Sequence, residues 1–165
     1  PPPRADAAPL DARRAASRAT AGERELSAAS LREEGNANFK AARYAEAVEA
    51  YTRSLELDSS QHLCFSNRSA AHLKLQAAGG ALQDAMQCVR LAPSWPKGYG
   101  RLASALLALG SWDEAEAACE TGIEVAGDNL DSDLAFTFMR LLAEAERGRE
   151  PRDPPPGAVP PQESR

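Results

Sequence analysis

Small and large apolar residues recur along the middle of the chain with a period of 34 residues. The eighth and twentieth places of each period hold small residues, at Gly35, Ser69, Ala103, Ala47, Ala81 and Ala115. The twenty-eighth and thirtieth places hold larger apolar residues, at Leu55, Val89, Ile123, Leu57, Leu91 and Val125. Small side chains let two helices cross closely, and the large ones are expected to fill the space around the crossing. The pattern predicts three helix–turn–helix repeats, 28–61, 62–95 and 96–129.

A further amphipathic segment follows the third period. Its apolar residues recur at spacings of three and four, at Leu130, Leu134, Phe138, Leu141, Leu142 and Ala145. This spacing predicts a helix over 130–148 with a stop at Gly148. We expect it to cap the exposed face of the last repeat; the alternative is a docking helix for a partner. Residues 1–27 are predicted to be flexible, with partial helix from Ala21 onward as an alternative. The proline-rich residues 149–165 are predicted to be a disordered tail.

Composition and charge exclude several classes of protein. The net charge of −5 argues against a dedicated nucleic-acid binder. No apolar run is long enough for a transmembrane helix, and the N-terminus has no signal-peptide pattern. The chain does not begin with Met, so we expect a piece or a processed form. Three widely spaced cysteines indicate reduced thiols in the cytoplasm, with the nucleus as an alternative. A monomer without cofactor is expected.

No motif for catalysis or metal binding is evident in the sequence. His62 and Cys64 are two residues apart, so they lie on different sides of a helix, and no second ligand pair follows. His72 does not complete such a set. The remaining candidates are expected to be buried or packing residues, namely Cys88, Cys119, Trp95 and Trp112. No nucleophile–base pair or phosphate loop is present, and we therefore expect this chain not to be an enzyme.

The polar positions on the first helix of each repeat differ between the copies. Places 2, 5, 6, 9, 12 and 13 of the period share one helix face. That face collects cations and amides, at Arg32, Lys40, Lys74, Lys97, Arg101, Asn36 and Asn67. Its one acid, Glu33, lies at the edge. Because like charges repel, we expect the face to bind an anion, and a chain ending in Asp offers two adjacent carboxylates. Lys97 and Arg101 are expected to face solvent.

The 34-residue pattern resembles the tetratricopeptide repeat (TPR), and the likeness covers about 102 of the 165 residues. It implies an all-α, right-handed superhelix of three helix–turn–helix repeats plus a C-terminal capping helix. Two departures are local. Gly79-Gly80 stand near the start of a second helix, and the proline typical of the final place occurs only as Pro93.

Three short motifs are similar to the dicarboxylate clamp of co-chaperone TPR domains, above all the first TPR domain of the Hop/Sti-type heat-shock organising protein. They are Gly35-Asn36, Ser66-Asn67-Arg68-Ser69 and Trp95-Pro96-Lys97-Gly98-Tyr99-Gly100-Arg101. In that family the clamp grips the C-terminal EEVD motif of the cytosolic 70-kDa and 90-kDa heat-shock chaperones. The resemblance therefore implies a non-catalytic co-chaperone adaptor with that partner. The implied clamp residues are Arg32, Asn36, Asn67, Lys97 and Arg101.

The same resemblance implies supporting contacts with the peptide from Phe39, Ala70, Leu73 and Lys74. The first three would form an apolar pocket for the penultimate Val of the peptide. Leu73 is larger than the residue usual in the family, and this difference would shift the peptide preference. Arg32 stands where Lys is commoner, and its planar guanidinium is not equivalent to a Lys ammonium. Two alternatives stay open: a scaffold for an internal segment of another partner, and the targeting domain of a larger enzyme such as a peptidyl-prolyl isomerase, phosphatase or ubiquitin ligase.

Overall fold

A computed structural model of the protein describes residue 20 and residues 27–149. The described residues form seven α-helices and one short 3-10 helix, with no β-strand among them. The helices are α1 (27–40), α2 (Tyr44–Leu57), α3 (His62–Lys74), α4 (Ala78–Leu91), α5 (Pro96–Ala108), α6 (Trp112–Ala126) and α7 (Ser132–Arg149), and the 3-10 helix is Gly127–Asn129. The predicted all-α class, with three helix pairs and a capping helix, is confirmed.

Small residues lie where the two helices of each repeat meet, as the period predicts. In the second repeat the Ser69 hydroxyl donates to the carbonyl oxygen of Ala81 over 2.8 Å, and both residues are 0% exposed. In the first repeat, a Cβ added to Gly35 would lie 2.4 Å from a ring carbon of Tyr51. Larger side chains at the eighth place would therefore separate the helices.

The large apolar residues divide into two groups. Leu55, at the twenty-eighth place, is buried. Leu57 and Leu91, at the thirtieth place, are 40% and 37% exposed. They are the last residues of α2 and α4, and more than a third of each remains open to solvent. The expectation that they fill the space around the helix crossing was wrong.

The turn inside each repeat reverses the chain at the same place of the period. Residue fifteen of each copy has a positive φ: 58° at Ala42, 59° at Gln76 and 75° at Gly110. The next backbone N–H donates to a carbonyl five residues earlier, as from Arg43 to Asn38 over 2.9 Å. This pairing is the Schellman pattern, which satisfies helix-terminal carbonyls and ends the first helix. The three copies therefore share one turn geometry even though only the third has glycine there.

An ion pair joins the two helices of the second repeat, and its arginine also bonds to the first repeat. Arg68 on α3 donates to both carboxylate oxygens of Asp84 on α4, over 2.8 and 2.7 Å, and to the hydroxyl of Thr52 on α2 over 2.9 Å. Asp84 is 4% exposed. The hydrogen bond to Asp84 raises the pKa of Arg68 above its usual value, so the guanidinium stays charged. Arg68 is thus a structural cation.

The capping helix α7 packs against α5 and α6. Its first turn is capped by Asp131, whose carboxylate accepts from the Leu134 N–H over 2.8 Å. Gly148 does not end the helix, which continues to Arg149. A Cβ added to Gly148 would lie 2.5 Å from the ring of Trp112, so glycine is needed there for close packing. The predicted stop was wrong, and the helix begins and ends one to two residues later than expected.

Ion pairs connect the C-terminal end of α7 to α6. Arg149 lies 2.8 Å from Asp113 and also pairs with Glu116, both on α6. Arg149 therefore belongs to the helix and not to the predicted tail. The predictions for residues 1–26, except helical Thr20, and for 150–165 lie outside the described residues.

The three cysteines, Cys64, Cys88 and Cys119, are free thiols and 0% exposed. Burial, as the largest cause, raises the pKa of Cys88 and of Cys119 to about 11. The expectation that these two lie in the core is confirmed. Within residues 20 and 27–149 the structure contains no group of three or more potential metal-ligating His, Cys, Asp or Glu side chains. Nor does any helix in that part combine the length and apolar character needed to span a membrane.

Phe138 tests whether α7 is a cap. Its side chain is 0% exposed, whereas Phe136 on the same helix is 65% exposed. Replacing Phe138 with Ala should lower the free energy of unfolding by about 3–5 kcal/mol, because a large cavity forms. Phe136→Ala should change it by less than about 0.5 kcal/mol. Urea denaturation measures both, and equal losses for the two variants would contradict the capping role.

Candidate functional site

The first helices of the three repeats lie side by side and line a groove. The Asn67 amide on α3 donates to the amide oxygen of Asn36 on α1 over 2.9 Å. Helix α3 also contacts α5, where Arg101 Nε lies 3.4 Å from the Ser66 hydroxyl. The polar faces that the sequence predicted on separate helices are therefore adjacent in the fold.

A cavity in this groove, called the first cavity, has a volume of about 150 Å³. Its lining residues are Asn36, Phe39, Lys40, Tyr51, Asn67, Ala70 and Arg101. Amide and cationic groups form one part of the wall, and the Phe39 ring and Ala70 methyl form another. Five of the predicted site residues therefore meet at one small cavity with both polar and apolar walls.

The orientation of the Asn36 amide is defined by three hydrogen bonds. Its oxygen accepts from the Tyr51 hydroxyl over 2.8 Å and from Asn67 Nδ2 over 2.9 Å. Its nitrogen donates to a carboxylate oxygen of Glu33 over 3.2 Å. Both acceptor sites of the amide oxygen are occupied. The donor end of Asn36 therefore already faces an anion.

Arg101 is a desolvated cation without a counter-ion. It is half-buried, and burial lowers the pKa of its guanidinium below the usual value. Among the described residues its one hydrogen bond goes to the Ser66 hydroxyl, and it forms no salt bridge there. The expectation that Arg101 faces solvent was wrong, because neighbouring helices cover it, whereas Lys97 is exposed as predicted. A buried unpaired charge is costly, so a bound carboxylate would relieve this cost.

The second cavity, about 570 Å³, adjoins the first because Asn67 and Arg101 line both. Its lining also includes Lys97 and Trp95, and on the α7 side Asp133 and other residues of the capping helix. The sequence predicted a capping role for α7, with docking of a partner as the alternative, and a packing role for Trp95. The Trp95 ring does contact His62, at 5.2 Å between centroids, but it is also part of the groove.

Three predicted site residues do not line either cavity: Arg32, Leu73 and Lys74. Arg32 donates to the side-chain oxygen of Gln61 over 3.1 Å and lies 3.7 Å from Glu33. This cation is therefore held by its own neighbours at the edge of the groove.

Tyr51 was not predicted as a site residue, and Ser66 was named only as part of a motif. Tyr51 is on α2, the second helix of its repeat, whereas the predicted site residues are all on first helices. A signal was present at the twenty-fourth place of the period, where the copies have Tyr51, Ala85 and Cys119. The first copy therefore has an aromatic residue with a hydroxyl group where the other two copies have small residues.

Fold and groove together define a class: a helix-pair repeat domain whose groove presents cations and amides. The structure of the second TPR of Spaghetti (RPAP3) bound to the HSP90 peptide SRMEEVD is similar to this chain, with 33% identity and a TM-score of 0.60. The match covers 62% of this chain and 95% of that one. This chain belongs to the tetratricopeptide-repeat family. No family model matches it.

Curated relatives are similar over nearly two thirds of this chain. Heat shock protein STI1 of Saccharomyces cerevisiae is 41% identical over 105 residues, which is 63% of this chain and 18% of that protein. Serine/threonine-protein phosphatase 5 of Homo sapiens is 33% identical over 106 residues, 64% of this chain and 21% of that protein. The chain thus spans about a fifth of the length of these relatives.

Replacing Arg101 and Arg68 in separate variants tests whether the unpaired cation stabilises the fold. Arg101→Met in the ligand-free domain should leave the free energy of unfolding unchanged or raise it, because a costly buried charge is removed. Arg68→Met should lower it by about 3–5 kcal/mol, because Asp84 is left buried and unpaired. Chemical denaturation measures both values. A loss for Arg101→Met as large as that for Arg68→Met would mean that Arg101 stabilises the fold.

Proposed function

We propose that this domain is a non-catalytic adaptor that binds the EEVD-type acidic C-terminus of a 70-kDa or 90-kDa heat-shock chaperone. The observation that carries the proposal is Arg101, which is desolvated and unpaired, next to two oriented amides. The relatives support it, since one similar TPR structure contains the HSP90 peptide SRMEEVD and one similar protein is heat shock protein STI1.

In the proposed clamp, the two carboxylates of the terminal Asp bind between α1, α3 and α5. The Asn36 nitrogen, which donates to Glu33 in the free domain, donates to the peptide once the peptide displaces Glu33. Arg101 supplies the desolvated positive charge, and exposed Lys97 attracts the peptide and completes the charge balance. Each charge-assisted hydrogen bond contributes about 1.5–3 kcal/mol before ordering costs.

The remaining proposed contacts have supporting roles. Asn67 donates one amide proton to Asn36 and keeps its second proton and its oxygen for the peptide. Phe39 and Ala70, on the apolar wall of the first cavity, receive the penultimate apolar side chain. Leu73 and Lys74 are proposed as peripheral contacts with residues further upstream.

Arg32 is proposed as the remaining clamp residue. Gln61 and Glu33 occupy part of its guanidinium in the free domain. A guanidinium has five N–H donors, so Arg32 retains donors for a carboxylate of the peptide.

A second candidate function concerns the protein that contains this domain. The likeness to serine/threonine-protein phosphatase 5 supports a targeting role attached to an enzyme. In that case the same groove directs a catalytic domain to its partner, and the clamp chemistry is unchanged. The full-length coding sequence distinguishes the two cases.

Calorimetric titration of the domain with SRMEEVD, and with the same peptide amidated at its C-terminus, tests whether the terminal carboxylate is recognised. The free acid should bind with a micromolar Kd, which corresponds to about −8 kcal/mol. Amidation removes one of the two carboxylate charges and should weaken binding at least about tenfold, or 1.4 kcal/mol. Equal affinities would exclude the clamp and favour a scaffold for an internal segment.

Lys97 is tested by Lys97→Ala, with Arg90→Ala as the control that removes one exposed cation from α4. Lys97→Ala should weaken peptide binding and reduce its salt dependence, because a charge near the ligand is lost. The melting temperature should not change, since Lys97 is exposed. Arg90→Ala should leave the affinity unaltered. If both variants lose affinity equally, the effect comes from net charge and not from a site.

A further inference from the structure

Tyr51 is a fully buried residue that ends in a polar group. It is 1% exposed, and its ring lies against Gly35, where an added Cβ would come within 2.4 Å. Only glycine at that position leaves space for the ring to reach the first cavity, which Tyr51 lines. The next residue after this glycine is Asn36. The close packing and the amide are therefore adjacent in the chain.

The Tyr51 hydroxyl acts as a donor. It lies 2.8 Å from the amide oxygen of Asn36, and among the described residues it has no other hydrogen-bond partner. Burial, as the largest cause, raises the pKa of Tyr51 to about 12, so the proton is retained at neutral pH. A buried hydroxyl proton without an acceptor is costly. The hydroxyl therefore selects the Asn36 rotamer that presents oxygen to it.

An asparagine amide has two ends of nearly equal shape. Rotation by 180° exchanges the oxygen and the nitrogen, and only the nitrogen can donate to a carboxylate. In the reversed rotamer, the Asn36 oxygen would face Glu33, or a peptide carboxylate in its place, and would repel it. Asn67 alone does not prevent this reversal, because its own amide can rotate with that of Asn36.

We infer that Tyr51 is a positioning residue for the carboxylate site: its hydroxyl fixes the Asn36 amide so that the nitrogen faces the ligand. This inference rests on the proposed function and deepens it. Tyr51 does not touch the ligand through its hydroxyl; it acts through Asn36. Removal of that hydroxyl leaves the ring and its packing in place. The orientation of the Asn36 amide then depends only on the exposed Glu33 carboxylate and on the Asn67 amide, which can itself rotate.

The binding test measures the Kd of SRMEEVD for four proteins: wild type, Tyr51→Phe, Asn36→Ala and the double variant. Tyr51→Phe should weaken binding about 3- to 10-fold, the equivalent of one neutral hydrogen bond. The same change should have no further effect in the Asn36→Ala background, because the two residues act as a unit. The matched control is Tyr99→Phe, which removes an exposed hydroxyl that donates to the Pro93 carbonyl over 3.0 Å, and it should bind as wild type does.

A spectroscopic test is independent of peptide affinity. In the free domain, the side-chain amide resonances of Asn36 should shift and broaden in Tyr51→Phe, and remain unchanged in Tyr99→Phe. Unchanged Asn36 resonances, or equal losses of affinity for Tyr51→Phe with and without Asn36→Ala, would overturn the inference. If wild type does not distinguish the free-acid peptide from its amidated twin, the proposed function itself fails. The two failures are therefore distinguishable.

Discussion

The helix pairs of this domain pack closely because the residues at their crossings have almost no side chain. Ser69 and Ala81 meet with 0% exposure in the second repeat, and Gly35 makes space for the Tyr51 ring in the first. This packing fixes the rotation of each first helix about its axis. The residue next to Gly35 is Asn36, so the same constraint that joins the helices also aims a site residue into the groove.

Arg101 in the groove differs from Arg68 and Arg149 in having no carboxylate partner among the described residues. Arg68 is half-buried with a bidentate carboxylate partner on α4, and Arg149 pairs with two acids on α6. Arg101 has been desolvated without any such partner in the described part of the chain. The half-buried Arg68 is neutralised by Asp84, whereas the half-buried Arg101 has no carboxylate partner among the described residues. This difference supports the proposed ligand, which supplies a carboxylate. The net charge of −5 does not oppose this. The lining of the first cavity contains no acid, and Asp131 and Asp133 line only the second cavity.

Much of the fold could be predicted from the 34-residue period, because packing is repeated and repeated packing leaves a repeated pattern. The ends of helices were predicted less well. Leu57 and Leu91 follow the apolar pattern but lie past the covered part of their helices, and Gly148 serves close packing against Trp112 instead of a stop. A period describes neighbours within a repeat and does not show which element covers a helix end.

The candidate site was predicted in part, for a related reason. Asn36, Asn67 and Arg101 were found because they differ between copies on one helix face, and the structure brings them to one cavity. Tyr51 and the α7 side of the second cavity were missed, since they come from elements outside that face. The desolvation of Arg101 was also missed, because burial depends on how three helices converge and not on spacing along one of them.

A crystal structure of the domain with SRMEEVD tests most directly whether Arg101, which has no carboxylate partner among the described residues, and Asn36, which donates to Glu33, receive a terminal carboxylate. The account predicts that oxygens of the last Asp lie about 2.7–3.2 Å from Asn36 Nδ2 and from the Arg101 guanidinium. It also predicts that the Glu33 side chain has left Asn36. A peptide that crosses the groove with its C-terminus in solvent, while Glu33 still accepts from Asn36, would contradict the account.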